Sequence, residues 1–313
     1  MIRLIKYDKS QKQLWDGFVL DARNSSFLHL RDFMEYHAHK FQDHSVLAYV
    51  EDKLVAVLPA NINQRVLYSH QGLTYGGWIF NSKMSQVLMV ELFTALKAYL
   101  KNLDIIQLVY KQMPNIYKSP INDADIYALN TVGAKIERMD VSTVLDMALP
   151  LSFGSQRKRN IKKAQKAPLK VVESQDLKAY YAILEETLTR HDAKPTHSLE
   201  ELQRLMRLFP ENIKLYCAVD HNETILAGTV IFITNTAVHT QYLSNAEQGR
   251  ILGALDYTLS VLIDKYKSTH RYFSFGTSMD AAFAYKFNPG LIGQKEGFGA
   301  TSHVQNIFSL NCE

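Results

Sequence analysis

Cysteine is scarce in this chain: Cys217 and Cys312 are the only two in 313 residues. One sits in an apolar run and the other beside the last residue. That placement gives neither a disulfide framework nor a zinc spacing, and it fits a reducing compartment. Long apolar runs are missing too. No window approaches the roughly 18 uninterrupted apolar residues of a membrane span, and the first ten residues carry no apolar core of a secretory signal. The expectation is a cytoplasmic protein, with peripheral contact with a membrane surface left open. Charge of one sign is also lacking. A formal net charge of +4 is too small for a general nucleic-acid coat, so DNA is not an expected partner.

Familiar catalytic signatures are absent as well. There is no G-x-x-x-x-G-K-[ST] phosphate loop, no G-x-S-x-G elbow and no H-E-x-x-H helix. His37 and His39 lie two apart on an expected helix and so do not share a face; no metal is expected. What is present is ordinary globular material. A hydrophobic share of 47% against 21% charged supplies a core for one large domain or two ordinary ones.

The chain repeats one pattern. Residues 44–50 and 54–62 read as a hairpin around Glu51, Asp52 and Lys53, and residues 213–219 and 224–233 as another around Asp220 to Glu223. A third strand follows each (65–70 and 237–244), then a glycine-containing stretch. A long helix comes next. Its apolar stripe is Leu88, Leu92, Leu96, Tyr99 and Leu103 in the first half, and Leu252, Leu255, Leu259, Leu262 and Tyr266 in the second. A buried-looking strand ends each run, at 104–110 and 271–276, which suggests a crossover onto a sheet. Helices are expected before each hairpin, over 10–22, 30–40, 176–190 and 198–208, the last capped by Ser198. The fold class is therefore α/β (α+β): two tandem domains, each a mixed, largely antiparallel sheet flanked by helices. The boundary is expected near Pro150, giving domains 1–150 and 151–313.

This order resembles the GNAT acyltransferase superfamily, and its tandem copy resembles the FemABX-like group over essentially the whole chain. Two segments carry the resemblance best: the basic stretch Ser155 to Ala164, and the run Asn288 to Ala300 with its asparagine, lysine and Phe-Gly-Ala. The second is similar to acetyltransferases associated with bacterial surface-polysaccharide synthesis. The resemblance implies an acyltransferase acting on an amine, with acetyl-CoA or another acyl-CoA as donor. The expected acceptor is a small molecule such as an amino sugar, or a nucleotide-linked cell-envelope precursor. Fem proteins take aminoacyl-tRNA instead, and a non-catalytic ligand-binding protein on the same fold is a third alternative. The acyl-CoA loop of GNAT enzymes reads Gln/Arg-x-x-Gly-x-Gly/Ala. Here Gln248, Gly249, Arg250, Gly253 and Ala254 supply those residue types in a shifted register, so the donor stays open, as does the oligomeric state.

Individual residues carry further expectations. Gly249 and Gly253 permit close backbone approach at a helix start, where a diphosphate binds well. By the resemblance Tyr285 is a candidate general acid, and Glu296, in a loop-like segment, a candidate base; each is also readable as packing or a solvated carboxylate. In the basic run, Arg159, Lys162 and Lys163 are candidates for a substrate phosphate, with Lys295 a further substrate-binding candidate. His70, Gln71 and Tyr75 form a polar, aromatic patch assigned by analogy to the acceptor. His239 and Tyr242 lie three apart on one strand, hence on opposite faces, so at most one of them can line a given cleft.

Overall fold

A computed structural model describes residues 2–190, 192–280 and 286–313. The chain divides into two units: Met1–Asp140 with Val304–Glu313, and Val141–His303. Along the chain the units meet at Asp140 and Val141, against the expected 150, and Val304–Glu313 goes with the first unit. Residues from Ser142 to Asp146 already pair with a strand of the second unit, and Ile307 to Asn311 pair with Lys111 to Gln107 of the first.

The first unit opens with β1 (Ile2–Lys6), α1 (Lys12–Asp21) and the single-turn α2 (Arg31–Met34). The helix expected over 30–40 stops at Met34. Phe33, Met34, Tyr36 and His37 are all buried, more of the circumference than one helix face offers. The strands β2 (Gln42–Asp43), β3 (Val46–Val50), β4 (Lys53–Leu58), β5 (Asn61–Asn63), β6 (Val66–Tyr68) and β7 (Ile79–Phe80) follow. The single strand expected over 54–62 is split at Pro59, which has no N–H to give the ladder. As a result β4 joins an antiparallel sheet ordered β1-β3-β4-β7, while β5 pairs with β2 and β6. Next come α3 (Gln86–Asn102), β8 (Gln107–Lys111), parallel to β6, and α4 (Ala124–Thr131). Ser85 caps α3 at Leu88 N–H. The buried face of α3 is Met89, Leu92, Phe93, Leu96 and Leu100. This lies to one side of the expected stripe, whose Leu103 is exposed.

The second unit takes the end of β9 (Lys135–Asp146), then α5 (Ser155–Lys166), β10 (Lys170–Glu173), α6 (Leu177–Thr189) and α7 (Leu199–Leu208). Ser198 and Glu201 close a capping box on α7. The strands β11 (Ile213–Val219), β12 (Ile225–Ile233) and β13 (Ala237–Asn245) lead into α8 (Glu247–Leu252) and α9 (Ala254–Tyr266). Then come β14 (Tyr272–Thr277), α10 (Pro289–Glu296) and the C-terminal β15 (Thr301–Asn311). Within this unit the sheet order is β10-β11-β12-β13-β14-β9, and the β13–β14 pair is parallel. Leu255, Leu259 and Leu262 of α9 pack with Ala227, Ile231, Val238 and Phe273 on one face. On the other face Tyr180 of α6 lies against Gly228 and leaves no room for a side chain there. Both cysteines are free and buried. Among the described residues no helix is long and apolar enough to cross a membrane.

Two buried histidines make stability depend on pH. Burial lowers His29 to about 4, and burial followed by the nearby His37 lowers His70 to about 3. The unfolded chain takes up these protons near 6.5 and the folded chain resists, so their contribution is complete above pH 6.5 and is lost as pH falls towards 4. Urea unfolding at pH 7 and pH 5 should show lower stability at pH 5. His70→Asn, which tolerates the positive φ of 70° there, should flatten the dependence.

Candidate active site

In the second unit, β13 and β14 run side by side for only three residue pairs: Ala237 with Tyr272, Val238 with Phe273 and His239 with Ser274. Two local features then part them. The β12–β13 register slips between Val230 and Ile231, so Gln241 is an extra residue on β13, a bulge that bends the strand. On β14, Gly276 adopts φ 69° and turns the chain away; a Cβ there would also lie 3.0 Å from His239 Cε1. Beyond Thr240 the backbone edge of β13 therefore faces an opening.

A cavity of about 370 Å³ occupies this opening, lined by Leu243, Ser244 and Asn245 of β13, Phe275 of β14, and Leu255 and Leu259 of α9. Phe298, stacked on Phe275 at 5.4 Å, and Lys295 of α10 also line it. The walls are mainly apolar with a few polar groups, the usual make-up of a small-molecule site.

Charge is arranged at two places. At the start of α9, Asp256 is buried; Arg157 Nη1 donates to its two carboxylate oxygens at 2.7 and 2.8 Å, and Asn160 Nδ2 donates to one of them at 2.6 Å. At the other end, Lys295 is buried, and its Nζ donates to Gly276 O (3.1 Å), Thr277 O (3.0 Å) and Ser278 Oγ (2.6 Å). Burial lowers this ammonium to about 8. Burial, with Lys295 nearby, lowers His239 to about 4, so at neutral pH its ring is uncharged; Nδ1 lies 3.1 Å from Ser274 Oγ.

No protein-family model and no curated protein matches the sequence. Solved structures do match. FemX gives a TM-score of 0.73 at 12% identity, over 99% of this chain and 97% of its own. L-PGS from Bacillus licheniformis gives 0.61 at 9%, over 96% and 91%. A tandem GNAT protein from the clavulanic acid biosynthesis pathway gives 0.54 at 9%, over 100% and 99%. The chain has a tandem GNAT, Fem-like fold.

Against the GNAT geometry, the expected donor residues divide. Gly253 and Arg250 line the cavity. The long helix expected from Gln248 onward is in fact two, α8 and α9, broken at Gly253 with φ 77°. Gly249 is a packing residue: a Cβ there would sit 2.0 Å from Leu226 O. Gln248 is exposed on α8, and Ala254 is buried at the start of α9. The first turn of α9 is not a bare helix start. The carboxylate of Asp256 stands there, and the Asn160 carbonyl lies 2.5 Å from where a Cβ on Gly253 would be, so α5 covers the position.

Of the substrate candidates, Lys295 reaches the cavity. Arg159, Lys162 and Lys163 are exposed on α5; its members that reach the cavity are Arg157 and Asn160. The bulge overturns the expectation for His239 and Tyr242. Their cross-strand partners are Phe232 and Val230, and the rings of Phe232 and Tyr242 both contact His197. Cross-strand partners share a face, so His239 and Tyr242 lie on the same one, towards α6 and α7. Tyr242 Oη is 2.6 Å from His197 Nδ1 and accepts its backbone N–H, which anchors the entry to α7. Glu296 is not in a loop: it is the last residue of α10 and is exposed. Tyr285 lies outside the described residues.

The first-half patch is packed chain. Tyr75 is buried, stacked on Tyr117 at 4.5 Å and bonded to Ser26 Oγ. His70 is buried beside His37 and Phe41, and Gln71 exchanges hydrogen bonds with Asn61. The equivalent parallel pair, β6 with β8, is sealed just past its end. Lys111 N–H donates to Ser69 Oγ (2.7 Å), Gly76 N–H to Lys111 O (3.1 Å), and Lys111 Nζ to Leu73 O (3.0 Å). Gly76 lies so close to Ser69 O that a Cβ would be 1.8 Å away.

Sequence reasoning missed Asp256 and Asn245. Asp256 reads as one more polar residue on a helix, and its partner Arg157 is about a hundred residues away in the chain. Replacing Asp256 by Ala strands the largely buried Arg157 guanidinium and should cost about 3 kcal/mol. Thermal or urea unfolding checks this, with Asp256→Asn retaining part of the loss because one acceptor survives. Gly253→Ala should destabilise through both its φ and the Asn160 contact.

Proposed function

We propose that the chain is an N-acyltransferase whose reaction centre is the parting of β13 and β14 in the second unit. The observation that carries this is the cavity in that parting, bordered by an edge of β13 that pairs with no strand among the described residues beyond His239. An acyl arm lies in the cavity on the α9 face, and the acceptor amine meets it from the α6–α7 face, where His239 is. Backbone amides of β13 beyond Thr240, released by the parting and the bulge, are suited to an oxyanion because they are fixed before the reaction. The Lys295 ammonium adds positive charge at that end. All three of its donor positions are used on the chain, so it acts through its charge and by holding residues 276–278 in place. His239, lowered to about 4, is a poor base and serves as an uncharged hydrogen-bond partner. The neutral amine attacks the acyl carbon, the bond from that carbon to the carrier's sulfur or oxygen breaks, and the proton shed by the amine passes through water to the departing thiolate or alkoxide.

The acceptor in this reading is an amino sugar or a nucleotide-linked precursor of the cell envelope, and the donor a carrier-bound acyl ester or thioester. Acetyl-CoA supplies an activated acetyl thioester when bound. A second reading, an aminoacyl ester on tRNA, is favoured by one feature: the α9 start that would hold a CoA diphosphate carries Asp256, and Arg157 is already engaged by it.

The test is transfer of labelled acyl groups from acetyl-CoA and from aminoacyl-tRNA to a panel of amino sugars and their nucleotide-linked forms. The reading expects N-acylated product from one donor and its loss, at least 100-fold, on filling the cavity with Leu243→Trp. Product that survives that substitution, or none from either donor, contradicts it. The rate should also fall as pH rises through about 8, where Lys295 loses its charge, and this alkaline limb should be absent in Lys295→Met.

A further inference from the structure

The outer face of α5 is a row of cations that no carboxylate engages. Lys158, Arg159, Lys162, Lys163 and Lys166 are exposed. At about 100° per residue they fall within one arc of about 140°, running about 12 Å along the helix. The opposite arc holds Arg157, Asn160 and Ala164, which meet α9 and the core beneath it. Among the described residues, the carboxylate paired with this helix is Asp256, and Arg157 of the inner arc takes it. Between Asp146 and Glu173 the chain has seven cations and no acid. Like charges held this close repel unless an anionic partner lies opposite them.

A second feature lies at the start of the same helix. Leu149 and Leu151 are 63% and 37% exposed. Their segment is tied down: Gly154 N–H donates to Gly297 O at 2.7 Å, and a Cβ on Gly299 would lie 3.0 Å from Ser152 O. Ile251 of α8, the helix packed beside α5, is 60% exposed. Apolar side chains at the margin of a lysine face suit a lipid bilayer, with the leucines entering the headgroup layer and the lysines meeting anionic headgroups. A nucleic acid asks for something else: the arginine fork for its phosphates and exposed aromatic rings for its bases. Four of the five outer cations are lysine, and α5 has no aromatic residue. We propose that the outer face of α5, with Leu149 and Leu151 beside it, docks the second unit on an anionic membrane surface. Arg157 and Asn160 of the same helix line the cavity, so docking sets the cavity about one helix diameter, roughly 10 Å, from the headgroups. The surface stands on its own geometry and does not depend on the acyl-transfer reading.

Co-sedimentation of the full chain with vesicles tests this, using phosphatidylcholine alone and with about one third phosphatidylserine. Partitioning should rise roughly tenfold or more with the anionic lipid, and the gain should vanish between about 0.1 M and about 0.5 M salt. Lys158→Gln, Lys162→Gln, Lys163→Gln and Lys166→Gln together should abolish the gain. Lys53→Gln, Lys83→Gln, Lys101→Gln and Lys135→Gln together remove equal charge from exposed positions of the first unit and should change it less than about twofold. Leu149→Ser with Leu151→Ser should weaken binding several-fold while its salt dependence stays. Equal loss in the two lysine sets means that net charge alone acts, and overturns the surface. Equal partitioning to both kinds of vesicle overturns it too. Binding of an RNA hairpin at about 0.15 M salt, lost in the α5 variant and without any vesicle binding, would assign the face to RNA instead.

Discussion

The constraint on which the second unit depends is that β13 and β14 pair in parallel for three residues and cannot continue. The bulge at Gln241 bends one strand and the left-handed Gly276 turns the other. Lys295 then holds the turned strand by its carbonyls, so the opening is built into the fold. A parallel pair with covered faces normally continues as a buried ladder. Ending it this early leaves strand-edge amides beside an apolar cavity, an arrangement that is costly unless a ligand or water satisfies them. That cost is why the opening reads as a site.

The two units illustrate the point by contrast. Both have a parallel pair followed by a parting. In the first unit Ser69, Gly76 and Lys111 seal it with main-chain and side-chain bonds, and Gly76 sits against the Ser69 carbonyl. In the second, the corresponding space is lined by Leu243, Phe275 and Leu259 and stays open. A duplicated sequence pattern has thus produced one closed and one open version of the same local geometry.

Much of this was legible in the sequence. The strands of the second half fall where alternation and turn residues put them, since β11, β12 and β13 are bounded by polar turns and filled with β-branched and aromatic residues. Ser198 caps α7 as read. What escaped is what only distance in the chain decides. Pro59 splits a strand that hydropathy alone makes continuous. The bulge at Gln241 reverses the facing of Tyr242, because a period-2 reading has no way to see an extra residue. Arg157 reads as part of a solvated basic run, yet its partner Asp256 draws it into the cavity wall, while Arg159, Lys162 and Lys163 remain in solvent. Glycines read as phosphate-binding proved divided, Gly249 for packing and Gly253 for a helix break.

The most direct test of the account is to locate the acyl group itself. An acyl donor carrying a diazirine in its acyl chain, photolysed on the protein and mapped by peptide mass spectrometry, should label Leu243 to Asn245 and Phe275. Labelling confined to residues 66–76 and 107–111 of the first unit, or scattered over the surface, would contradict the claim that the parting of β13 and β14 is where acyl transfer takes place.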